Sequence, residues 1–240
     1  MFYFVLLGLA AAFAVMLLFG GLDLDRSLLF VAYAGERPEL ARYARALTEL
    51  GGGRFLIPVT AAAALLLLFT RRWRQAVVLI ATTASGSLLV EVLKSQVART
   101  RPEEYRHLVE IDPLIARSPE LSFPSGHAAN TALVFLTMAL LLTSAGRSRS
   151  LAVWAAVWLS LAVGATRVVL GVHWPTDVLG GWTFGLFWTL LLLRLSGQDL
   201  GDGTPRPVRH FPPEGESHER RQQPGSGPGP AAGGGGPPNG

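Results

Sequence analysis

Cysteine is absent from the sequence, and charged residues are scarce. Without cysteine the chain has neither disulfides nor cysteine-ligated metal sites, and its redox compartment is not indicated. Asp, Glu, Lys and Arg make up 16% of the residues, whereas half of the residues are hydrophobic; soluble domains are about 25% charged. The net charge of +4 is modest. No basic patch with interleaved aromatic residues occurs, so nucleic acid is not an expected partner. These shortages favour a membrane protein.

Lysine is nearly absent as well, and its one occurrence is Lys94. All the other Lys-or-Arg positions hold arginine. Either codon bias has left one lysine by chance, or this position needs a compact ammonium that the planar guanidinium of arginine does not replace. Both explanations stay open on the sequence alone.

Six apolar runs are each close to the roughly 20 residues that an α-helix needs to cross a bilayer. Backbone groups inside lipid require hydrogen bonds within the segment, so each run is predicted to be a helix. The sequence therefore predicts an all-α, six-span transmembrane helical bundle within residues 1–195. The runs cover residues 2–19, 55–70, 76–93, 126–143, 151–170 and 178–195.

The first run has a second interpretation, a signal peptide with a cleavage site near its alanines. It lacks the basic n-region of such peptides and its apolar core is long, so we expect a membrane span.

The loop between the first two runs, residues 20–54, is predicted to be polar with one amphipathic helix. Pro38 suits the first turn of this helix, and the glycines at 51–53 end it. The helix is predicted to lie in the membrane interface; packing against the bundle as a structural cover is the open alternative. Its apolar face consists of Leu40, Tyr43, Leu47 and Leu50.

Short loops rich in arginine mark the cytoplasmic side of a membrane protein. Residues 71–74 and 147–149 form two such loops, and Arg194 ends the last run on the same side. With six spans, both termini are therefore predicted to be cytoplasmic. Residues 196–240 are rich in Gly, Pro, Gln and charge, which predicts a disordered tail.

Three polar stretches lie at ends of the apolar runs. One contains Lys94 and Arg101, the next begins the fourth run, and the third lies between the last two runs. The alternation of six spans places all of them on one membrane face, opposite the arginine-rich loops. Ionisable groups beside a bilayer are costly and indicate a functional site. The residues expected to converge are Lys94, Arg101, Ser125, Gly126, His127, Arg167, His173 and Asp177.

These residue types suit a phosphate site that needs no metal. Arginine offers a planar fork for phosphate oxygens, and Lys94, Arg101 and Arg167 supply three cations. Ser125 is a plausible N-cap, so the backbone N–H groups of Ser125 and Gly126 are expected to point at the anion. Glycine at 126 lets a ligand approach the backbone closely.

Two histidines complete the predicted chemistry. Neutral His173 is assigned as the nucleophile that attacks phosphorus, and His127 as the general acid that protonates the leaving oxygen. Asp177, four residues after His173 across a proline-containing turn, is assigned to orient the nucleophile's ring.

Each residue also has a bland interpretation. Histidines at a membrane interface are often structural or solvated, and Arg167 alone is consistent with a snorkelling anchor. Glu91, three residues before Lys94, is interpreted as a structural partner of that lysine. Arg99 is interpreted as a solvated charge, with a contribution to the pocket as the alternative. The location of the set on one face favours the functional interpretation.

The motifs resemble those of the type 2 phosphatidic acid phosphatase superfamily, which also includes vanadium haloperoxidases. Lys94, six intervening residues and Arg101-Pro102 are similar to its first motif. Residues 124–127, Pro-Ser-Gly-His, match its second motif in full.

The third motif of that family is Ser-Arg, five residues, His, three residues and Asp. Arg167, His173 and Asp177 fit it, and Thr166 stands where the family usually has serine. Threonine keeps the hydroxyl, so little consequence is expected.

The resemblance implies a metal-independent, cofactor-free membrane phosphatase that forms a phosphohistidine on His173. It further implies a lipid substrate such as phosphatidic acid, phosphatidylglycerol phosphate or undecaprenyl pyrophosphate, and a site facing away from the cytoplasm. Two other classes stay open: a non-catalytic phospholipid-binding or lipid-transporting membrane protein, and a vanadate-dependent halide oxidase, which the six apolar runs disfavour. The sequence does not predict the lipid or the oligomeric state.

Overall fold

A computed structural model describes residues 1–20, 22–35, 37–103 and 121–198, which all belong to one compact unit, Met1–Asp202. Within these ranges the secondary structure is helical, apart from an isolated β-bridge between Thr100 and Leu121. The helices are α1 (Phe2–Phe19), α2 (Asp23–Ala32), α3 (Pro38–Thr48), a 3₁₀ turn (Glu49–Gly51), α4 (Gly53–Phe69), α5 (Trp73–Val97), α6 (Gly126–Leu142), α7 (Arg147–Val169) and α8 (Pro175–Leu195).

Each of the six predicted apolar runs lies mostly within one helix: α1, α4, α5, α6, α7 or α8. Five helical stretches of the described chain are long and apolar enough to cross a membrane, and one of these, Pro38–Phe69, joins α3 to α4. Helix α6 has 17 residues and is a shorter apolar helix. The all-helical membrane fold is thus confirmed, whereas the count of six spans stays a prediction.

Helix α6 forms the centre of the bundle and packs against α4, α5, α7 and α8. Most of its residues are buried, many of them alanine or threonine, so neighbouring backbones approach closely. Two glycines of α8 extend this contact. A Cβ at Gly181 would lie 2.6 Å from the Ser125 carbonyl oxygen, and one at Gly185 would lie 2.7 Å from that of Ala129. This packing fixes the start of α6 against the start of α8.

The first loop contains more structure than its composition predicts, because α2 lies where only polar loop was expected. Asp23 and Asp25 stand in its first turn, where negative charge favours helix formation. Its buried residues are Asp25 and Leu29. The sequence did not predict this helix, because it is short and two carboxylates stand in its first turn.

The predicted amphipathic helix is α3, and Pro38 does occupy its first turn. Its buried face, Ala44 and Thr48, packs against α7, so it covers the bundle. Tyr43, on the predicted apolar face, is 68% exposed. That exposed face suits contact with a lipid interface, and this location stays a prediction.

The bundle has two chemically different ends, as the alternation of helices predicts. The C-terminal ends of α5 and α7 and the N-terminal ends of α6 and α8 lie together at one end, described below as the site end. At the opposite end Arg72 donates to the Leu141 carbonyl at the end of α6, and Arg194 lies 5.6 Å from the Phe2 ring. From residue 199 on, the predicted tail lies outside the described residues.

Candidate active site

The first turn of α8 holds the carboxylate of Asp177 in a fixed position. Trp174 is the N-cap of this helix, and its backbone N–H donates to Asp177 Oδ2 at 2.9 Å. The carbonyl oxygen of Asp177 in turn accepts the Ser125 N–H at 2.9 Å. The Asp177 side chain is fully buried. The start of α8 therefore links the predicted carboxylate directly to the Pro-Ser-Gly-His stretch.

His173 lies in the tight connection between α7 and α8, and its side chain is 2% exposed. Its backbone N–H donates to the Arg167 carbonyl at 3.3 Å. Its Nδ1 lies 3.5 Å from Asp177 Oδ2. This separation is slightly longer than a hydrogen bond, and catalytic hydrogen bonds commonly tighten when the substrate binds. The carboxylate thus faces Nδ1, as the assigned roles require.

The opposite nitrogen of the same ring faces a cation. His173 Nε2 lies 3.4 Å from Nη1 of Arg101, and the same Nη1 donates to the Val172 carbonyl at 2.7 Å. A guanidinium carries only N–H donors, so Nε2 facing it is the acceptor nitrogen and Nδ1 carries the proton. This tautomer leaves the Nε2 lone pair on the cationic side of the site.

The pKa of His173 is lowered well below its usual value of 6.5. Burial is the largest cause, because desolvation disfavours the charged imidazolium. The positive charges of Arg101, Arg167 and Lys94 lower it further, and His127 adds a smaller effect. The ring is therefore neutral at pH 7. Four other predicted site residues therefore lie close enough to His173 to act on it electrostatically: Arg101, Arg167, Lys94 and His127.

Lys94 lies in the last turn of α5, close to the start of α6. A Cβ on Gly126 would lie 3.2 Å from Lys94 Nζ, so the glycine gives the lysine room beside the helix N-terminus. Lys94 Nζ also pairs with Glu91 Oε1 at 2.9 Å, and the lysine side chain is 12% exposed. The pairing expected from the spacing is confirmed, and it leaves the ammonium at the site end.

Ser125 is the N-cap of α6, but its backbone N–H points to Asp177 and not outward. The prediction that this N–H faces the anion is therefore wrong, because the packing of α6 on α8 uses it. The Ser125 hydroxyl is buried, and among the described residues it has no hydrogen-bond partner. Since buried polar groups are normally paired, the hydroxyl is the part of Ser125 that suits an anionic ligand.

Arg167, near the end of α7, is held by a residue that the sequence did not single out. Its Nη1 donates to the Thr48 hydroxyl at the end of α3 at 2.8 Å. The following 3₁₀ turn also reaches the site, because a Cβ at Gly51 would lie 3.1 Å from His127 Cδ2 and 2.5 Å from Val163 Cγ1. The first loop therefore forms one wall of the site, beside Arg167 and His127.

The family model that matches this chain is that of the PAP2 superfamily, and it covers residues 75–199 of the 240. The chain belongs to the PAP2 superfamily.

Similar PAP2 proteins extend the match beyond the motifs. Phosphatidylglycerophosphatase B of Bacillus subtilis is 30% identical over 73% of this chain and 83% of its own length. Undecaprenyl-diphosphatase of Sulfolobus acidocaldarius is 34% identical over 62% of this chain and 67% of its own. A crystal structure of a transmembrane PAP2-type phosphatidylglycerolphosphate phosphatase from Bacillus subtilis has a TM-score of 0.69 at 27% identity, covering 80% of this chain and 96% of that one.

One residue of this PAP2 site has a different role from the one expected. Arg99, interpreted above as a solvated charge, has a side chain that is only 12% exposed, and its Nη1 lies 2.8 Å from Asp177 Oδ1. It stands two residues before Arg101 in the extended segment that follows α5. Alternate residues of an extended chain point to the same side, so this spacing was the available signal.

Proposed function

We propose that this PAP2 protein is an integral-membrane phosphatase that hydrolyses a phosphomonoester or pyrophosphate of a membrane lipid through a phosphohistidine intermediate. One observation carries the proposal: His173 has a carboxylate on its Nδ1 side and a guanidinium on its Nε2 side. A buried neutral imidazole so arranged is an activated nucleophile directed at a site for anions. The family match and the names of the relatives support the same class of reaction.

In the first step, the Nε2 lone pair of His173 attacks phosphorus. An Nε2–P bond forms while the P–O bond to the lipid breaks. His127, which takes up a proton when the anionic phosphate binds beside it, gives that proton to the leaving oxygen. The ring of His173 gains positive charge as the bond forms. The Asp177 carboxylate beside Nδ1 stabilises this charge and keeps the ring in the reactive tautomer.

In the second step, water attacks phosphorus on the phosphohistidine. His127, now neutral, accepts a proton from the water as the new O–P bond forms. The Nε2–P bond breaks, and its electron pair returns to His173. Inorganic phosphate leaves and both histidines regain their starting protonation states, so the two steps form a closed cycle.

The phosphate oxygens are proposed to be held by protein cations without a metal ion. Lys94, Arg101 and Arg167 are the lysine and arginine charges that act on His173. The Ser125 hydroxyl and the Gly126 N–H add neutral donors at the start of α6, where the helix dipole also favours an anion. Donors fixed before the reaction stabilise the charge that develops in the transition state.

The proposed membrane arrangement has six spans, with α6 as the short central one. The arginines at the end opposite the site support a cytoplasmic location for that end and for both termini. The active site then faces away from the cytoplasm in the cell membrane, and α3 lies near the lipid interface. The relatives' names support phosphatidylglycerol phosphate and undecaprenyl pyrophosphate as substrates to test, and phosphatidic acid completes the panel.

Phosphate release from this lipid panel in detergent micelles tests the proposal. The wild-type protein should release phosphate, and His173→Ala should lower the rate by at least about 10³-fold because the nucleophile is lost. His210→Ala, in the C-terminal segment, is the matched control and should keep the wild-type rate. EDTA should leave the activity intact.

Wild-type protein that binds these lipids without releasing phosphate would favour the non-catalytic lipid-binding class. Loss of activity in EDTA that magnesium restores would overturn the metal-free cradle while leaving the phosphatase class intact. Peroxidase activity with added vanadate would instead indicate the halide-oxidising branch.

A further inference from the structure

Arg99, one of the six intervening residues of the first motif, connects the C-terminal end of α1 to the Asp177 carboxylate. We propose that Arg99 is a positioning residue, which fixes the orientation of Asp177 by clamping it to the carbonyl end of α1. The inference rests on the proposed function, because the role of Asp177 there is to orient the nucleophile.

The two oxygens of Asp177 have different partners. Oδ1 accepts from Arg99 Nη1 at 2.8 Å, and Oδ2 accepts the Trp174 N–H at 2.9 Å. Two bonds on opposite oxygens prevent the carboxylate from rotating, so Oδ2 stays directed at Nδ1 of His173. Without the guanidinium, Asp177 would keep the Trp174 N–H and a side-chain hydrogen bond from Ser122 but would lose its charged donor, so the carboxylate plane would be held less firmly.

The other side of the guanidinium is anchored to α1. Nη2 donates to the carbonyls of Met16 at 3.0 Å and Leu17 at 2.7 Å. The last carbonyls of a helix have no partner within it and carry partial negative charge, so they suit a cation. The guanidinium also lies 4.3 Å from the centre of the Phe123 ring, in a cation–π contact. These contacts with α1 and Phe123 hold the guanidinium of Arg99 in place.

Glycine at position 20 leaves the space that this arrangement needs. A Cβ built there would lie 1.9 Å from Arg99 Nη1 and 2.2 Å from its Cζ, so any larger residue would displace the guanidinium. The closest approach is to the nitrogen that holds Asp177. This gives an independent way to disturb the clamp without changing a charge.

A second contact ties the same network to α2. Arg99 Nη1 lies 3.3 Å from the Thr176 hydroxyl. The buried carboxylate of Asp25 accepts the Thr176 N–H at 2.9 Å and also the Thr176 hydroxyl. Helices α1 and α2 thus hold Thr176 and Asp177, the two residues immediately before Val178.

The partners of Arg99 distinguish it from the phosphate-binding cations. Both of its terminal nitrogens already donate to protein oxygens, on Asp177 and on α1. Its removal should therefore slow the chemical step and leave substrate binding nearly unchanged, whereas loss of a phosphate ligand affects binding as well.

The test compares Arg99→Ala, Arg99→Lys and Gly20→Ala with Arg74→Ala, an exposed arginine at the opposite end of the bundle. For Arg99→Ala we expect kcat to fall by about 10- to 100-fold, the range found when a residue that orients a metal ligand is lost. KM should stay within about twofold. Added guanidinium should restore part of kcat in Arg99→Ala, and sodium at the same ionic strength should not. Gly20→Ala should lower kcat in the same direction, and Arg74→Ala should match the wild type.

A spin label provides a readout that does not depend on activity. The chain has no cysteine, so Leu18→Cys, at an exposed position at the end of α1, gives a single labelling site. The label should become more mobile in Arg99→Ala and not in Arg74→Ala. An inactive wild-type protein would overturn the proposed phosphatase while this measurement still tests the clamp.

Three results would overturn the inference. One is wild-type kcat in Arg99→Ala. Another is a rise in KM at constant kcat, which would make Arg99 a substrate ligand. The third is an unchanged label mobility. Should Arg99→Ala fail to fold, guanidinium rescue is lost as a readout, and the kcat of Arg99→Lys and Gly20→Ala decides.

Discussion

The two ends of the bundle use arginine in different ways. At the end opposite the site, two arginines donate to carbonyls at the C-terminal end of α6: Arg149 to that of Thr143 and Arg72 to that of Leu141. At the site end, Arg99 binds helix carbonyls as well, but it also holds a buried carboxylate, and Arg101 faces an imidazole. The helix-end contact is common to both ends. The difference is the neighbouring Asp177 and His173, which make Arg99 and Arg101 part of the proposed reaction site.

This contrast explains why a count of charges along the sequence does not locate the site. Arginine at a helix C-terminus is stabilising wherever it occurs, by about 0.3–1 kcal/mol at an exposed position. In the described part of the chain, the histidine whose protonation is changed by several surrounding cations lies at the site end. Variants that alter the cations at one end and not at the other therefore test the contrast directly.

Among the substitutions that test this contrast, the largest loss of kcat/KM is expected for Arg167→Lys, which replaces a planar guanidinium by an ammonium. Arg167→Lys keeps the charge but loses the fork and the contact with Thr48, so we expect a loss of about 1.5–3 kcal/mol, or roughly 10- to 150-fold in kcat/KM. Arg149→Lys, at the opposite end, should stay within about twofold of the wild type. Equal effects of the two substitutions on phosphate release would break the contrast.

The pH profile of kcat/KM should show how the neighbouring cations lower the pKa of His173. Because its pKa is lowered, the neutral nucleophile persists as the pH falls below 6.5, and the acid limb due to this group lies below that value. Arg101→Gln removes a positive charge, so protonation becomes easier and the pKa rises. The limb should then move to higher pH by about one unit.

The position of that limb is the measurement, because Arg101→Gln is also expected to lower the rate through the proposed phosphate binding. Arg72→Gln, at the opposite end, should leave the limb where it is in the wild type. A limb that stays in place in Arg101→Gln would contradict the contribution of Arg101 to the lowered pKa of His173, and a limb above 6.5 would contradict the lowering itself.

The smallest effect is expected for the support that α3 gives to Arg167. Thr48→Val removes the hydroxyl that accepts from Nη1, at a cost of about 0.5–1.5 kcal/mol, or roughly 2- to 10-fold in kcat/KM. Thr70→Val is the matched control, since its hydroxyl is exposed at the other end and bonds its own helix at Leu66. A wild-type rate in Thr48→Val would mean that Arg167 is positioned without α3.

The sequence predicted the apolar helices and the convergence of the motif residues because both follow from local patterns. The alternation of membrane-length helices decides which helix ends lie on the same side. His173 and Asp177 lie close together because a tight turn joins α7 to α8. The cap at Ser125 was assigned correctly, but the direction of its N–H was not. That direction depends on how α6 packs against α8, and no pattern within the tetrapeptide encodes it.

The residues that the sequence did not assign act across long separations. Thr48 bonds an arginine 119 positions later, and Asp25 bonds a residue 151 positions later. Neither lies in a recognisable motif, and each contact exists only once two distant helices are packed. The sequence predicts a solvated charge at Arg99: its spacing from Arg101 indicates a shared side of the extended segment but does not indicate the distant carboxylate that it binds.

The contact between α1 and Arg99 also has a consequence for biosynthesis. The carbonyls at positions 16 and 17 emerge from the ribosome before the guanidinium, which follows about eighty residues later, and the aspartate follows in the first turn of α8. Under the proposed mechanism, a nascent chain has a complete clamp on Asp177 only after α8 has been translated and has packed beside α1.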